Sequence, residues 1–178
     1  LMFDAQSRLW STEHGPQGGD ELNLIETGNN YGWPYNTHGT SYDGRREWPM
    51  SIEPGRHADF PPPVYAWLPS VGASAILQVG EQPAVWAGDF LMGSLKSGSL
   101  HRMRVLNGRV VFEERIVIGE RIRDLVQLDD GRLILWTDTP HILELQPAIK
   151  SAGLALPVPL TEEEKAVGLG AVLSSCSA

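Results

Sequence analysis

The sequence predicts an all-β fold, and three observations predict it. Glycine and proline account for 19 and 13 of the 178 residues, more than a helical protein tolerates. Asn107-Gly108 and Asp130-Gly131 each stand between alternating apolar runs, the strongest short signal for a hairpin turn, because both central residues of such a turn need positive φ. Six tryptophans sit among many short apolar runs rather than in one long one.

Taken in order, Ser7–Thr12 and Asp20–Ile25 read as strands, separated by the polar loop His14-Gly-Pro-Gln-Gly-Gly and closed by the turn-rich Gly28-Asn-Asn-Tyr-Gly-Trp-Pro34. Residues 34–63 are rich in Pro, Gly, Arg, His and Asp without a period, which predicts a long surface loop ending at Pro61-Pro-Pro63. From Val64 to about Pro147 short strands and tight turns alternate, with Arg102–Leu106, Arg109–Glu113, Asp124–Leu128 and Arg132–Trp136 the clearest strands. Hairpins at roughly ten-residue spacing suit a sandwich, a barrel or propeller blades. After that the composition changes. Residues 148–160 read as a linker, and Thr161-Glu-Glu-Glu164 is a capping box that opens a moderately apolar helix over residues 161–178.

Charge and composition exclude several classes. The 14 Lys+Arg stand against 22 Asp+Glu, a formal net charge of −8, and no basic run is visible, so a nucleic-acid partner is not expected. No apolar run approaches the ~18 residues of a membrane span. Cys176, the single cysteine, has no partner for an internal disulfide, and the N-terminus carries no targeting pattern. The abrupt C-terminal end reads as that of a fragment.

Glu13-His-Gly-Pro-Gln-Gly-Gly-Asp-Glu-Leu-Asn-Leu-Ile25, followed by Gly28-Asn-Asn-Tyr-Gly-Trp-Pro34, resembles the quinoprotein glucose/sorbosone dehydrogenase family, the soluble PQQ-dependent aldose sugar dehydrogenases. The resemblance continues through Leu68-Pro-Ser-Val-Gly-Ala-Ser74, Gly88–Lys96, Arg121-Ile-Arg-Asp124 and Trp136-Thr-Asp138, covering about residues 1–147. It implies the C-terminal portion of a six-bladed β-propeller, with the catalytic His and an Arg-Asn pair lying upstream of this chain. A half ring would leave strand edges unpaired, an aggregation hazard.

The resemblance also assigns residues. It implies that the main-chain carbonyls of Gly15 and Pro16 hold the calcium of the cofactor; hard oxygen ligands suit Ca²⁺. Asp20 and Glu21 read either as a solvated strand start or, by resemblance, as part of a second, structural calcium site with Tyr31. As strand neighbours they point to opposite faces, so they do not form an acid/base pair on one substrate. Ser70, Lys96, Arg121 and Arg123 match positions that hold PQQ. Residues 121 and 123 of a strand project from one face, so two guanidiniums can converge on one carboxylated ligand. Tyr65 and Leu68 match the wall of the sugar pocket, where Leu68 replaces a Trp and His14 a Gln of the family's best-known glucose enzyme.

His38, His57, His101 and His141 read as loop or surface residues, and Trp33, Trp86 and Trp136 as core or blade packing. The activity implied is oxidation of an aldose at the anomeric carbon to its lactone, with hydride passing to the quinone and the hydroxyl proton to the upstream His. The C-terminal helix resembles the start of a class I cytochrome c, with Cys176 where C-x-x-C-H would begin: a haem c attachment, or a helix-end thiol. On this reading electrons leave to a cytochrome c or a quinone, in the periplasm or outside the cell. Two rivals share the scaffold: a non-catalytic calcium-binding propeller that recognises carbohydrate or protein, and a calcium-dependent lactonase-like hydrolase.

Overall fold

Eleven strands make three antiparallel sheets in the computed structural model, which describes residues 1–43, 48 and 60–146. The first sheet runs β1 (Met2–Phe3), β2 (Leu9–Glu13), β3 (Asp20–Ile25) and β4 (Tyr65–Trp67). The second runs β5 (Ala73–Gln78), β6 (Phe90–Ser94), β7 (Ser99–Leu106) and β8 (Arg109–Val117), and the third β9 (Ile122–Gln127), β10 (Leu133–Thr137) and β11 (Ile142–Leu145). Each strand pairs with its neighbour in sequence, so every sheet is a meander, and the sheets stack face to face as blades of a β-propeller. The expected linker 148–160, the helix 161–178 and Cys176 lie outside the described residues, as does His57. Among the described residues no helix is long and apolar enough to cross a membrane.

Turn chemistry sets the hairpins. Asn107 (φ 51°) and Gly108 (φ 71°) join β7 to β8, and Asp130-Gly131 with its left-handed glycine joins β9 to β10. The period-2 alternation of the strands then feeds two separate cores. Trp10, Leu22, Trp67, Ile76, Phe90, Met92 and Met103 fill the space between the first and second sheets. Val79, Leu91, Leu100, Ile122, Leu125, Leu133 and Leu135 fill that between the second and third. The middle sheet is covered on both faces, which is why β6 reads Phe-Leu-Met without a polar break: Phe90 and Met92 face one neighbour, Leu91 the other.

Parity in the strand, not residue type, decides which tryptophans are inside. Trp136 lies between buried Leu135 and Thr137 and is 62% exposed, and Trp33 is half-exposed against Trp48, so neither is the core residue expected from sequence. Trp86 is partly buried and packs against the second core. The loop expected over residues 34–63 is also less superficial than its composition suggests. Asn36, Thr37 and Ser41 are buried, and Gln17 and Thr40 exchange two backbone hydrogen bonds of 3.0 and 3.1 Å. Gly39 permits this approach, since a Cβ there would meet Pro16 and the carbonyl of Gly18.

Asp4 ties the first strand to the core. Its carboxylate is 5% exposed and accepts the Trp10 indole N–H at 2.8 Å, the Arg8 Nε–H at 2.7 Å and the backbone N–H groups of Gln6 and Arg8 at 2.9 Å. Burial by itself would raise its pKa; the hydrogen bonds from Trp10, Arg8 and Gln6 together outweigh burial and hold it below the usual value. The stabilisation is therefore complete above the unfolded value of about 3.9 and disappears as pH falls through the lower folded value. Asp4→Asn should cost about 1–3 kcal/mol at neutral pH and flatten the acid limb of a urea-midpoint against pH plot. An unchanged acid limb would show that Asp4 is not its origin.

Candidate active site

Meander topology gathers the polar loops at one end. Strands alternate in direction, so the connections at residues 14–19, 68–72, 95–98, 118–121 and 138–141 all emerge at the same end of the blades. These connections hold Gly15, Pro16, Leu68, Ser70, Lys96 and Arg121, and Asp20 and Arg123 stand at the strand starts beside them. Hydrogen bonds cross from blade to blade here: the Thr12 hydroxyl donates to the Ser74 carbonyl and the Ser74 hydroxyl to the Ile122 carbonyl, each at 2.7 Å. The exposed His14 bonds through Nε2 to the carbonyl of Ala73.

Asp20 is the hub of this end. It is fully buried, and one carboxylate oxygen accepts the Gly15 N–H at 3.0 Å and the Ser70 hydroxyl. The other accepts the backbone N–H groups of Val71 at 3.0 Å, Gly72 at 2.5 Å and Ala73 at 3.0 Å. Five donors saturate a carboxylate, which offers about four lone-pair directions. Asp20 is thus neither a solvated strand start nor a side chain with oxygens to spare for a metal; it clamps the 14–19 turn to the 68–72 loop. That leaves the carbonyls of Gly15 and Pro16 without a hydrogen-bond donor among the described residues. Gly15 admits no side chain, because a Cβ would run into the carbonyls of Gly18 and Gly19.

Lys96 sits exposed on the β6–β7 turn, its backbone N–H bonded to the Val71 carbonyl at 2.9 Å and its ammonium without a partner among the described residues. A buried polar array supports that turn. His101 is only 2% exposed, with Nδ1 2.6 Å from Glu113 and Nε2 3.1 Å from the Ser97 hydroxyl. Ser94 bonds Ser97 and donates to the Ser99 carbonyl at 2.7 Å, and Arg115 donates to Ser99 at 3.0 Å. His101 is therefore an interior residue, not a surface one. It lies two residues from Ser99 on a strand with both faces packed, and composition carries no trace of that. His38, half-buried, bonds Glu21, and exposed His141 bonds Glu120.

Arg121 and Arg123 flank buried Ile122 and project together, as their spacing requires. Each donates its Nε–H to a different oxygen of Asp138, a residue that the sequence marked only as part of a motif. The hydrogen bonds from Arg123 and then Arg121 hold the Asp138 carboxyl below its ordinary pKa.

Glu21 belongs to a second cluster. Glu13 and Glu21 are direct cross-strand partners, and Asn23 Nδ2 reaches both at 3.3 Å. Burial, opposed by Asn23 and reinforced by the Glu21 charge, raises the Glu13 pKa. Glu13 and Glu21 share a small cavity with His14, Tyr31, Trp33, Asn36 and Thr37, and the buried side-chain oxygen of Asn36 has no donor among the described residues. The Tyr31 hydroxyl donates to the Leu24 carbonyl at 2.7 Å, fixing that loop. Glu13 was invisible as a site residue in the sequence, since only the β2–β3 register places it opposite Glu21. Among the described residues no group of three or more His, Cys, Asp or Glu is arranged to hold a metal ion by itself, so a cation in this cavity would need neutral oxygens as well.

The two expected pocket residues separate. Exposed Leu68 lies at the loop end, 3.2 Å from where a Cβ on Gly18 would stand. Tyr65 instead packs into the first core, edge-on to Trp67 at 5.0 Å and opposite Leu22 in the ladder. It starts β4 and points inward, so it does not join the loop end.

The model of the glucose / sorbosone dehydrogenase family matches residues 1–143. The chain is 35% identical over 147 residues to the aldose sugar dehydrogenase YliI of Escherichia coli, spanning 78% of this chain and 38% of that protein. A crystal structure of a glucose dehydrogenase superposes with a TM-score of 0.76 at 34% identity, covering 82% of this chain and 43% of the other. The PQQ-bound aldose sugar dehydrogenase of Streptomyces coelicolor superposes with a TM-score of 0.55 at 26% identity, over 76% of this chain and 35% of that one. The chain thus spans well under half the length of these relatives.

Proposed function

Because this chain belongs to the glucose / sorbosone dehydrogenase family, we propose that it forms the part of a PQQ- and calcium-dependent aldose dehydrogenase that holds the cofactor. The observation that carries this reading is the gathering of Lys96, Arg121 and Arg123 at the same blade end as the free carbonyls of Gly15 and Pro16. PQQ is a planar quinone with three carboxylates, and three cations beside neutral oxygens form a donor set that fits it together with a calcium ion.

In this reading Lys96 and the two arginines bind the cofactor's carboxylates and fix its plane. Ser70 presents a hydroxyl whose proton is already given to Asp20, so its oxygen is oriented to accept. Gly15 and Pro16 would hold the cofactor's calcium through their carbonyls. Glu21, the Tyr31 loop and the unpaired oxygen of Asn36 would hold a second calcium, for which that buried acceptor fits. When bound, PQQ with its calcium supplies an electrophilic carbon that takes the hydride of the sugar's anomeric C–H. Leu68 gives the sugar side an apolar edge, so the aldose range differs from that of a site walled by Trp. The hydroxyl proton goes to a His outside this chain. The same reading passes electrons to a cytochrome c or a quinone, and puts the protein in the periplasm or outside the cell.

The test uses the whole protein, purified without cofactor and titrated with PQQ with and without Ca²⁺ while dye reduction is followed over a panel of aldoses. Calcium-dependent activation with one or more aldoses is the expected result. Calcium alone should also raise the unfolding temperature, and Glu21→Gln should remove most of that rise. A folded, calcium-loaded protein that does not bind PQQ would sink the enzyme reading and leave a recognition propeller.

A further inference from the structure

We infer that Asp138 is a positioning residue for a polycarboxylate ligand, holding Arg121 and Arg123 in register to receive it; this deepens the PQQ reading and rests on it. Each arginine gives only its inner Nε–H to Asp138, one to each carboxylate oxygen. Their terminal nitrogens have no partner among the described residues, and the two side chains remain 53% and 50% exposed. One carboxylate thus takes one N–H from each guanidinium and leaves their terminal nitrogens for a second partner, with which a planar carboxylated ligand would make bidentate bonds.

Asp138 is itself fixed. Its N–H donates to the Arg121 carbonyl at 3.0 Å, and the turn it opens is pinned by Thr137, whose hydroxyl bonds Thr139 at 2.8 Å and the His141 carbonyl at 2.9 Å. Glu120 closes the turn from the other side by accepting from Thr139 and lying 3.2 Å from His141 Nδ1. A cavity of about 480 Å³ opens beside Arg123, lined by it, Asp124, Trp136, Thr137 and Asp138; Arg121 stands outside this lining. Without Asp138, two like charges two residues apart would repel and each long side chain would sample many rotamers, an ordering cost that ligand binding would then have to meet.

Charge and geometry predict opposite signs, which makes the inference testable. If Asp138 were only a counter-ion, removing its negative charge would tighten binding of an anion. If it positions the arginines, removal weakens binding although the site becomes more positive. The whole calcium-loaded protein is titrated with PQQ by tryptophan quenching, for Asp138→Ala, Asp138→Asn and Asp138→Glu, with unfolding midpoints measured alongside. We expect Asp138→Ala to weaken PQQ about tenfold or more, Asp138→Asn to fall between, and Asp138→Glu to recover most of the affinity. Equal or tighter binding by the folded alanine or asparagine variant overturns the inference, and Asp138→Asn serves if alanine does not fold. Failure of the unsubstituted protein to bind PQQ would overturn the proposed function and this inference with it. Binding lost in Arg123→Ala but unchanged in Asp138→Ala would overturn this inference alone.

Discussion

Asp20→Ala should be the most damaging single substitution at the loop end, costing about 3–5 kcal/mol of stability. The carboxylate is fully buried and serves Gly15, Ser70, Val71, Gly72 and Ala73 at once. Alanine leaves four backbone N–H groups and a hydroxyl without an acceptor in a place that water does not readily reach, and each unsatisfied donor carries a desolvation penalty. Asp20→Asn keeps the shape but turns one oxygen into a donor facing donors, so it should recover little. Urea denaturation of the whole protein measures the loss. A change below about 1 kcal/mol would show that the loops are held by other contacts. Asp20 also holds the Gly15 N–H, so on the proposed function, in which the Gly15 and Pro16 carbonyls bind calcium, calcium affinity should fall with stability.

Arg123→Ala carries the second large effect, on binding rather than folding. The side chain is half-exposed and its Asp138 partner keeps Arg121, so the fold should persist with an unfolding midpoint close to that of the parent. On the proposed function Arg123 makes a charge-assisted contact to a carboxylate of PQQ, and its loss, about 1.5–3 kcal/mol, corresponds to roughly ten- to a hundredfold weaker binding. Titration of the calcium-loaded whole protein with PQQ reads this directly. Unchanged affinity would remove Arg123 from the site and leave the R-x-R pair as a surface ion pair with Asp138.

Much of the architecture was legible along the chain. Strand β3 was read to the residue at Asp20–Ile25, and both hairpins lie where Asn107-Gly108 and Asp130-Gly131 put them, because positive φ is a local demand met by residue type. The shared face of Arg121 and Arg123 was legible for the same reason, since strand parity is local. Resemblance supplied the family and the order of its motifs. The misreadings are all non-local. Residues 36–41 are a loop, as read, but Asn36, Thr37, Gly39 and Ser41 in it are buried, because the segment pairs with a turn about twenty residues earlier. Tyr65 was assigned by resemblance and Trp33 and Trp136 by residue type, whereas the ladder and the sheet stacking decide which way each points.

By itself, then, the sequence determined several strands, the two hairpin turns and the shared face of Arg121 and Arg123, while sandwich, barrel and propeller stayed open; the sheet order that brings the loops of Gly15, Ser70, Lys96 and Arg121 to one blade end came from the structure. Tertiary structure alone decided what each polar group does there. It made Asp20 a five-donor clamp, His101 an interior support for the Lys96 turn, Glu13 the partner of Glu21, and Asp138 the brace of two arginines. The physical reason is that backbone propensity acts over two or three neighbours, while a buried carboxylate or imidazole takes its role from whichever donors and acceptors the packed sheets bring within about 3 Å.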